Sequence, residues 1–97
     1  MAQTTKTEKR TRMVNLMEEL THQLLEDLLS EHEESPFSTD AKEDIKALAL
    51  NRLWPMYTTT TTGKNFLRKI VVEDRVEQDV RRELKVAIQK VRSHPRS

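Results

Sequence analysis

The chain has 97 residues, of which 35% are hydrophobic and 34% are charged. A chain of this length forms one domain that buries only about two-thirds of its unfolded surface, so a second copy is expected to complete the thin core. The absence of cysteine excludes disulfides and thiolate metal ligands, and it fits a reducing compartment. Without an apolar run of membrane-spanning length, and with a polar start unlike a signal peptide, the protein is expected to be cytoplasmic.

The net charge of +1 conceals a segregation of charge along the chain. Residues 1–12 have a balance of +3, residues 13–45 carry ten acids against one lysine, and residues 46–97 carry twelve bases against five acids. Such halves can attract each other within the fold, pair head to tail between copies, or present a basic face to an anion. Because residues 1–12 show no apolar periodicity, we predict a flexible basic arm there, followed by a single domain at 13–97.

Two helices are predicted in the first half of the domain. Apolar residues recurring at three and four positions predict the first helix over about 15–30, and the Asn15 side chain can cap its first turn. Asp40 and Glu43 have the spacing of a capping box, which predicts a second helix over about 40–53.

The second half combines an extended segment with a further long helix. A tyrosine and five threonines predict an extended segment within 56–62, and Gly63 is expected to end it with a positive φ. Residues 64–72 are compatible with a helix or a short strand. An apolar stripe predicts a last helix from about Glu73 that ends before Pro95. The fold class is therefore mainly α, with three or four helices and one short extended segment after the second long helix.

Catalytic patterns are lacking. His22, His32 and His94 are not spaced to share a metal, and a single glycine cannot form a phosphate-binding loop or a nucleophile elbow. The adjacent glutamate pairs point to different helix faces or to solvent. We expect no enzyme activity, no metal site and no cofactor.

Groups suited to anion binding and stacking concentrate in residues 48–62. Arginine binds phosphate or stacks on a base, aromatic rings support purines, and hydroxyls bond phosphate or ribose. These groups are Asn51, Arg52, Trp54, Tyr57, the threonines 58–62 and the following Lys64. Each also has a structural interpretation, because a tryptophan is most often a core residue, Asn51 can end the helix, and the threonines can form a soluble strand edge.

The run DIKALALNRLWPMY at 44–57 resembles the central signature of the ComFB family, the late-competence-type bacterial proteins. The resemblance continues at Val14 and Asn15 in the first helix, and in the last helix and the terminal HPR sequence at 94–96. Some members carry cysteines before the second helix, where this chain has residues 35–40 without any, so no metal is carried over.

The resemblance implies a helical dimer and, for the branch lacking cysteines, a receptor for cyclic dinucleotides such as cyclic di-GMP. Such a ligand needs cations, stacking surfaces and acceptors for guanine N–H groups. We therefore predict Arg52 and Arg12 on phosphate or guanine, and Asn51 or Asp44 on a guanine edge. Tyr57 is predicted to stack or to bond phosphate. Further candidates are Thr58, Thr60 and Lys64 on phosphate and ribose, and the arm residues Lys6, Arg10 and Arg12, which could close over the ligand.

The downstream partner of such a receptor could be a transcription factor or another regulatory protein. Two other functions are alternatives to the receptor. The chain could be a protein-interaction adaptor without a small ligand, docking through its charge-segregated helices. Direct DNA binding through the arm and the last helix is less favoured, because acids interleaved there repel phosphate.

Overall fold

The computed structural model of the chain describes residues 12–32 and 37–94. Two short strands and four helices follow one another within these ranges. In chain order they are β1 (Val14–Asn15), α1 (Leu16–His32), α2 (Thr39–Leu50), β2 (Tyr57–Thr58), α3 (Thr61–Glu73) and α4 (Val76–Ser93). The mainly α fold is confirmed. The helical dimer and the division into an arm and a domain stay predictions.

The core lies where α4 packs against α2 and α1. Leucines spaced along α1 meet Ile45 of α2 and Leu84 of α4, and all of these side chains are buried. The positions recur at three and four residues, so each helix turns one apolar stripe inward. The buried residues of this core cluster are Met17, Leu24, Leu25, Leu28, Ile45, Ala49, Val80, Leu84, Ala87, Ile88 and Val91.

Asn15 fastens the start of α1 to the chain that enters β2. Its Oδ1 accepts hydrogen bonds from the backbone N–H of Met17 at 3.1 Å and of Met56 at 2.7 Å. The backbone N–H of Leu16 donates to the Met56 carbonyl at 2.7 Å. The predicted cap is therefore confirmed. Antiparallel pairing of β1 with β2 places Asn15 opposite Tyr57.

The cap of α2 differs from the prediction. Ser38, in an extended conformation, accepts a hydrogen bond from the backbone N–H of Ala41 at 3.1 Å, so Asp40 lies inside the first turn. The helix ends at Leu50, three residues earlier than predicted, because Arg52 and Leu53 donate to carbonyls only three residues back and tighten the chain.

The threonine segment forms a strand only at Tyr57–Thr58, and residues 64–72 are helical within α3. Thr60 caps this helix, since its Oγ1 accepts from the backbone N–H of Gly63 at 3.0 Å. The predicted positive φ of Gly63 is wrong. A Cβ on Gly63 would lie 2.5 Å from the Thr58 Oγ1, so glycine is needed there for close approach.

The last helix begins at Val76, whereas Glu73, its predicted start, ends α3. The reversal between α3 and α4 is made at Arg75, which has a φ of 56° and a ψ of 38°. This left-handed conformation is unfavourable for a residue with a Cβ. No glycine marks this turn in the sequence, because the one glycine of the chain is Gly63.

Arg75→Gly is expected to raise the free energy of unfolding by roughly 0.5–1 kcal/mol, because glycine adopts the left-handed conformation without steric cost. Urea denaturation of the two proteins measures the difference. Arg82→Gly, an exposed position inside α4, is the control and is expected to lower stability by about 1 kcal/mol. A loss of stability in Arg75→Gly would contradict the assigned backbone conformation.

Candidate functional site

The connection between α2 and β2 exposes the only tryptophan of the chain. Trp54 is 87% exposed, so the structural interpretation, in which this tryptophan belongs to the core, is wrong. After the tight turn that ends α2, the neighbouring Leu53 and Met56 pack against the core instead. These two side chains fill the inward positions, which leaves the indole ring in solvent.

Arg52 lies beside this ring in the sequence and is anchored by a single contact. Its Nε donates to the Oε1 of Glu83 on α4 at 3.1 Å, and the Arg52 side chain is 66% exposed. Within the described ranges, that carboxylate is the only side-chain partner of the guanidinium. The Nη1 and Nη2 groups can therefore donate to a planar or tetrahedral anion.

Asn51, Arg52, Leu53, Trp54 and Pro55 line an open groove of about 400 Å³. Asn51 is exposed and forms the C-cap of α2, which agrees with its structural interpretation. Three of its walls are therefore an amide, a guanidinium and an indole. We call these five residues the Trp54 groove.

Tyr57 follows the Trp54 groove by two residues and is 56% exposed. Its backbone is held in β2 opposite Asn15. The pairing turns Thr58 partly inward and leaves the phenol ring accessible. Trp54 and Tyr57 thus supply two exposed aromatic rings on one short connection, whose far end is fixed to α1.

The other predicted contacts on this side already have partners within the fold. Thr58 Oγ1 donates to the Thr60 carbonyl at 3.3 Å, while Thr60 caps α3. Lys64 Nζ lies 3.0 Å from the Glu19 carboxylate of α1, which also pairs with Arg68 at 3.6 Å. A ligand phosphate at Lys64 would compete with Glu19 for the ammonium group.

The remaining candidates lie at the borders of this region. Asp44 is half-buried on α2, seven residues before Asn51 and therefore on the same side of the helix. Arg12 is exposed two residues before Val14, which pairs with Thr58. Lys6 and Arg10 lie outside the described residues.

The arrangement offers stacking and hydrogen-bond donation. In the ranges 12–32 and 37–94 there is no group of three or more histidine or carboxylate side chains that could hold a metal ion. His22 is exposed and its Nδ1 lies 3.2 Å from the Nζ of Lys46. The same ranges contain no helix that is both long and apolar enough to cross a membrane.

Two residues of the site are not among the predicted ligand contacts. Trp54 is one of the stacking groups of the sequence analysis, and its exposure had a local signal, because it precedes Pro55 just beyond a helix end, where a chain turns outward. Glu83 had none, since it lies 31 residues from Arg52 and meets it only through the packing of α4 on α2.

Comparisons with known proteins agree with this architecture. No protein of the curated set matches the sequence. A solved structure described as "Structural characterization of the late competence protein ComFB from Bacillus subtilis" has a similar fold, with a TM-score of 0.77 and 20% sequence identity. The match covers 88% of this chain and 93% of the Bacillus subtilis chain. The family model for the late competence development protein ComFB matches residues 14–95, and the chain therefore belongs to the ComFB family.

Proposed function

We propose that the chain is a non-enzymatic receptor for a cyclic dinucleotide, cyclic di-GMP, in the cytoplasm. The observation that carries this proposal is that Trp54, with an exposed ring, and Arg52, with an exposed and anchored guanidinium, line the same groove. An indole ring offers a face for a purine, and a guanidinium offers paired donors. A nucleotide contains acceptors for both.

The chemistry of cyclic di-GMP suits this surface. Each guanine can stack on an aromatic ring and presents the O6 and N7 acceptors to which arginine donates. Each phosphate can accept two N–H bonds from the same type of side chain. Asn51 adds an exposed amide that can donate to or accept from a guanine edge. We assign Trp54 to stacking and Arg52 to a phosphate or guanine.

Other predicted residues complete the proposed site. Tyr57 is the second stacking ring or a phosphate donor, and Asp44 accepts from a guanine edge. The threonine hydroxyls and Lys64 contact phosphate and ribose after release from their internal partners. These further residues are Thr58, Thr60 and Lys64, together with the arm residues Lys6, Arg10 and Arg12.

Ligand binding is proposed to act on a helical dimer. Closure of the basic arm over a bound anion would change the surface offered to a transcription factor or another regulatory protein. Since the ligand carries two equivalent halves, a second copy of the chain could supply an equivalent groove.

Arg52→Ala is expected to weaken binding of cyclic di-GMP at least tenfold, because a charge-assisted pair of hydrogen bonds is lost. Isothermal titration calorimetry gives the affinity. Arg81→Ala is the matched control. Arg81 also pairs with one glutamate, Glu31 at 3.7 Å, but it lies on a different face of α4 from Glu83, the partner of Arg52. If the unchanged protein gives no binding heat with cyclic di-GMP, the proposed receptor function is wrong. If both variants bind the ligand as tightly as the unchanged protein, the binding site does not include Arg52.

The adaptor remains a second candidate because of apolar exposure on α3. Phe66 is 62% exposed and Val72 is 75% exposed, which suits docking of another protein. The adaptor predicts salt-sensitive affinity for a partner that nucleotides do not alter. Calorimetry with the dinucleotide therefore separates the two functions.

A further inference from the structure

Glu83 holds the guanidinium of Arg52 through its Nε–H and leaves the terminal donors of the group without a contact from this carboxylate. The contact joins Glu83 Oε1 to Arg52 Nε at 3.1 Å. The Nε–H lies on the side edge of the guanidinium that it shares with Nη2, so a carboxylate bound there leaves the terminal pair of Nη1–H and Nη2–H donors for a ligand. A ligand anion and Glu83 can therefore occupy the same arginine together.

The position of Glu83 is fixed by the core. Its helical neighbour Leu84 and the preceding-turn residue Val80 are both fully buried. The Glu83 side chain is itself only 14% exposed, although it carries a carboxylate. Its second oxygen, Oε2, lies 3.9 Å from Arg82 Nε, a longer and weaker contact than that with Arg52. A carboxylate set on rigid backbone in this way is a firm anchor for a flexible partner.

Arg52 needs such an anchor. It lies beyond the end of α2, and its long side chain is mostly in solvent. An unheld arginine loses much rotational freedom when it binds an anion, which weakens binding. Because the arginine of this pair is 66% exposed, the contact by itself contributes little to folding.

We propose that Glu83 is a positioning residue of the Trp54 groove, which sets the Arg52 guanidinium beside Trp54 for a planar acceptor pair such as a phosphate or a guanine edge. This inference rests on the proposed receptor function. It also ties the groove to α4, so occupancy of the groove reaches a helix that packs on both α1 and α2.

The first test measures the anchoring without any ligand. In ¹H–¹⁵N spectra of the full chain, the Arg52 Nε–H signal is expected to exchange slowly with water and to be broadened or shifted in Glu83→Ala. Glu83→Gln is expected to keep the slow exchange, because an amide oxygen also accepts from Nε. Asp79→Ala is the matched control, since Asp79 pairs with Arg82 on the same helix. A mobile, rapidly exchanging signal in the unchanged protein would overturn the inference, whether or not a dinucleotide binds.

The second test measures binding of cyclic di-GMP by calorimetry. Glu83→Ala is expected to weaken affinity about threefold to tenfold, the effect of ordering one long side chain. Glu83→Gln is expected to keep most of the affinity of the unchanged protein, and Asp79→Ala is expected to leave the affinity unchanged. In an Arg52→Ala background, Glu83→Ala is expected to have no further effect.

The outcomes separate the two proposals. Tighter binding by Glu83→Ala would mean that the carboxylate competes with the ligand, and it would overturn positioning. An equal loss in the Arg52→Ala background would assign Glu83 a general structural role, and it would also overturn positioning. If the unchanged protein does not bind the dinucleotide while the Nε–H signal behaves as expected, the receptor function fails and the anchoring of Arg52 stands.

Discussion

Asn15→Ala is expected to lower the free energy of unfolding by about 2–3 kcal/mol. One side-chain oxygen accepts two backbone N–H groups, from Met17 in α1 and from Met56 before β2. Alanine removes a helix cap and also leaves the N–H of Met56 without its acceptor in a partly buried place. Because Asn15 fixes the end of the connection that carries Trp54, the variant is also expected to loosen the Trp54 groove.

Urea denaturation followed by circular dichroism measures this effect. Asn15→Asp is expected to recover most of the stability, because a carboxylate accepts the same bonds and suits a helix N-terminus. Asn65→Ala, at an exposed position of α3, controls for the loss of an asparagine and is expected to change stability by less than about 0.5 kcal/mol. Equal effects of Asn15→Ala and Asn65→Ala on the free energy of unfolding would show that the two hydrogen bonds accepted by Asn15 do not stabilise the fold.

Trp54→Ala is expected to weaken binding of cyclic di-GMP about tenfold to a hundredfold, which is the range for loss of one base-stacking ring. Its effect on the free energy of unfolding is expected to be small, because the ring is 87% exposed and buries little apolar surface. Calorimetry and denaturation of the same preparation separate the two effects.

Phe66→Ala is the matched control, since Phe66 is also a largely exposed aromatic residue but lies on α3. It is expected to leave dinucleotide affinity unchanged. Loss of affinity in Phe66→Ala without loss in Trp54→Ala would place the stacking surface on α3.

The helices were predictable because their causes are local. Apolar spacing identified the inward faces of α1, α2 and α4, and the Asn15 cap follows from a side chain next to the orphan N–H groups of one helix. Ser38 caps α2 in place of the predicted Asp40, which follows it by two residues. Choosing between neighbouring caps requires the path of the chain entering the helix.

The α3 region shows where local preference fails. Threonines favour extended backbone, yet Thr61 and Thr62 begin a helix once Thr60 caps its first turn. Gly63 was read as a turn residue, whereas it serves the close approach of the Thr58 hydroxyl. The turn at Arg75 depends on the packing of α3 against α4. No residue near Arg75 has a sequence pattern that predicts this turn.

The groove was predictable only in part. Arg52, Asn51 and Tyr57 were named because their chemistry suits a nucleotide, and their proximity follows from the sequence itself. The exposure of Trp54 depends on Leu53 and Met56 taking the inward positions, which is a result of tertiary packing. The anchoring of Arg52 by Glu83 joins distant segments and lies beyond any local pattern.

Trp54 is proposed to stack on a base of the bound dinucleotide. Because it is the single tryptophan of the chain, its fluorescence tests this stacking directly. Titration of the unchanged protein with cyclic di-GMP is predicted to quench Trp54 emission in a saturable way, with the same midpoint as the calorimetric titration. Quenching that is lost in Arg52→Ala and kept in Arg81→Ala would link the ring to the guanidinium. Emission that stays constant up to ligand concentrations that saturate the calorimetric signal, or the absence of any calorimetric signal, would contradict the account.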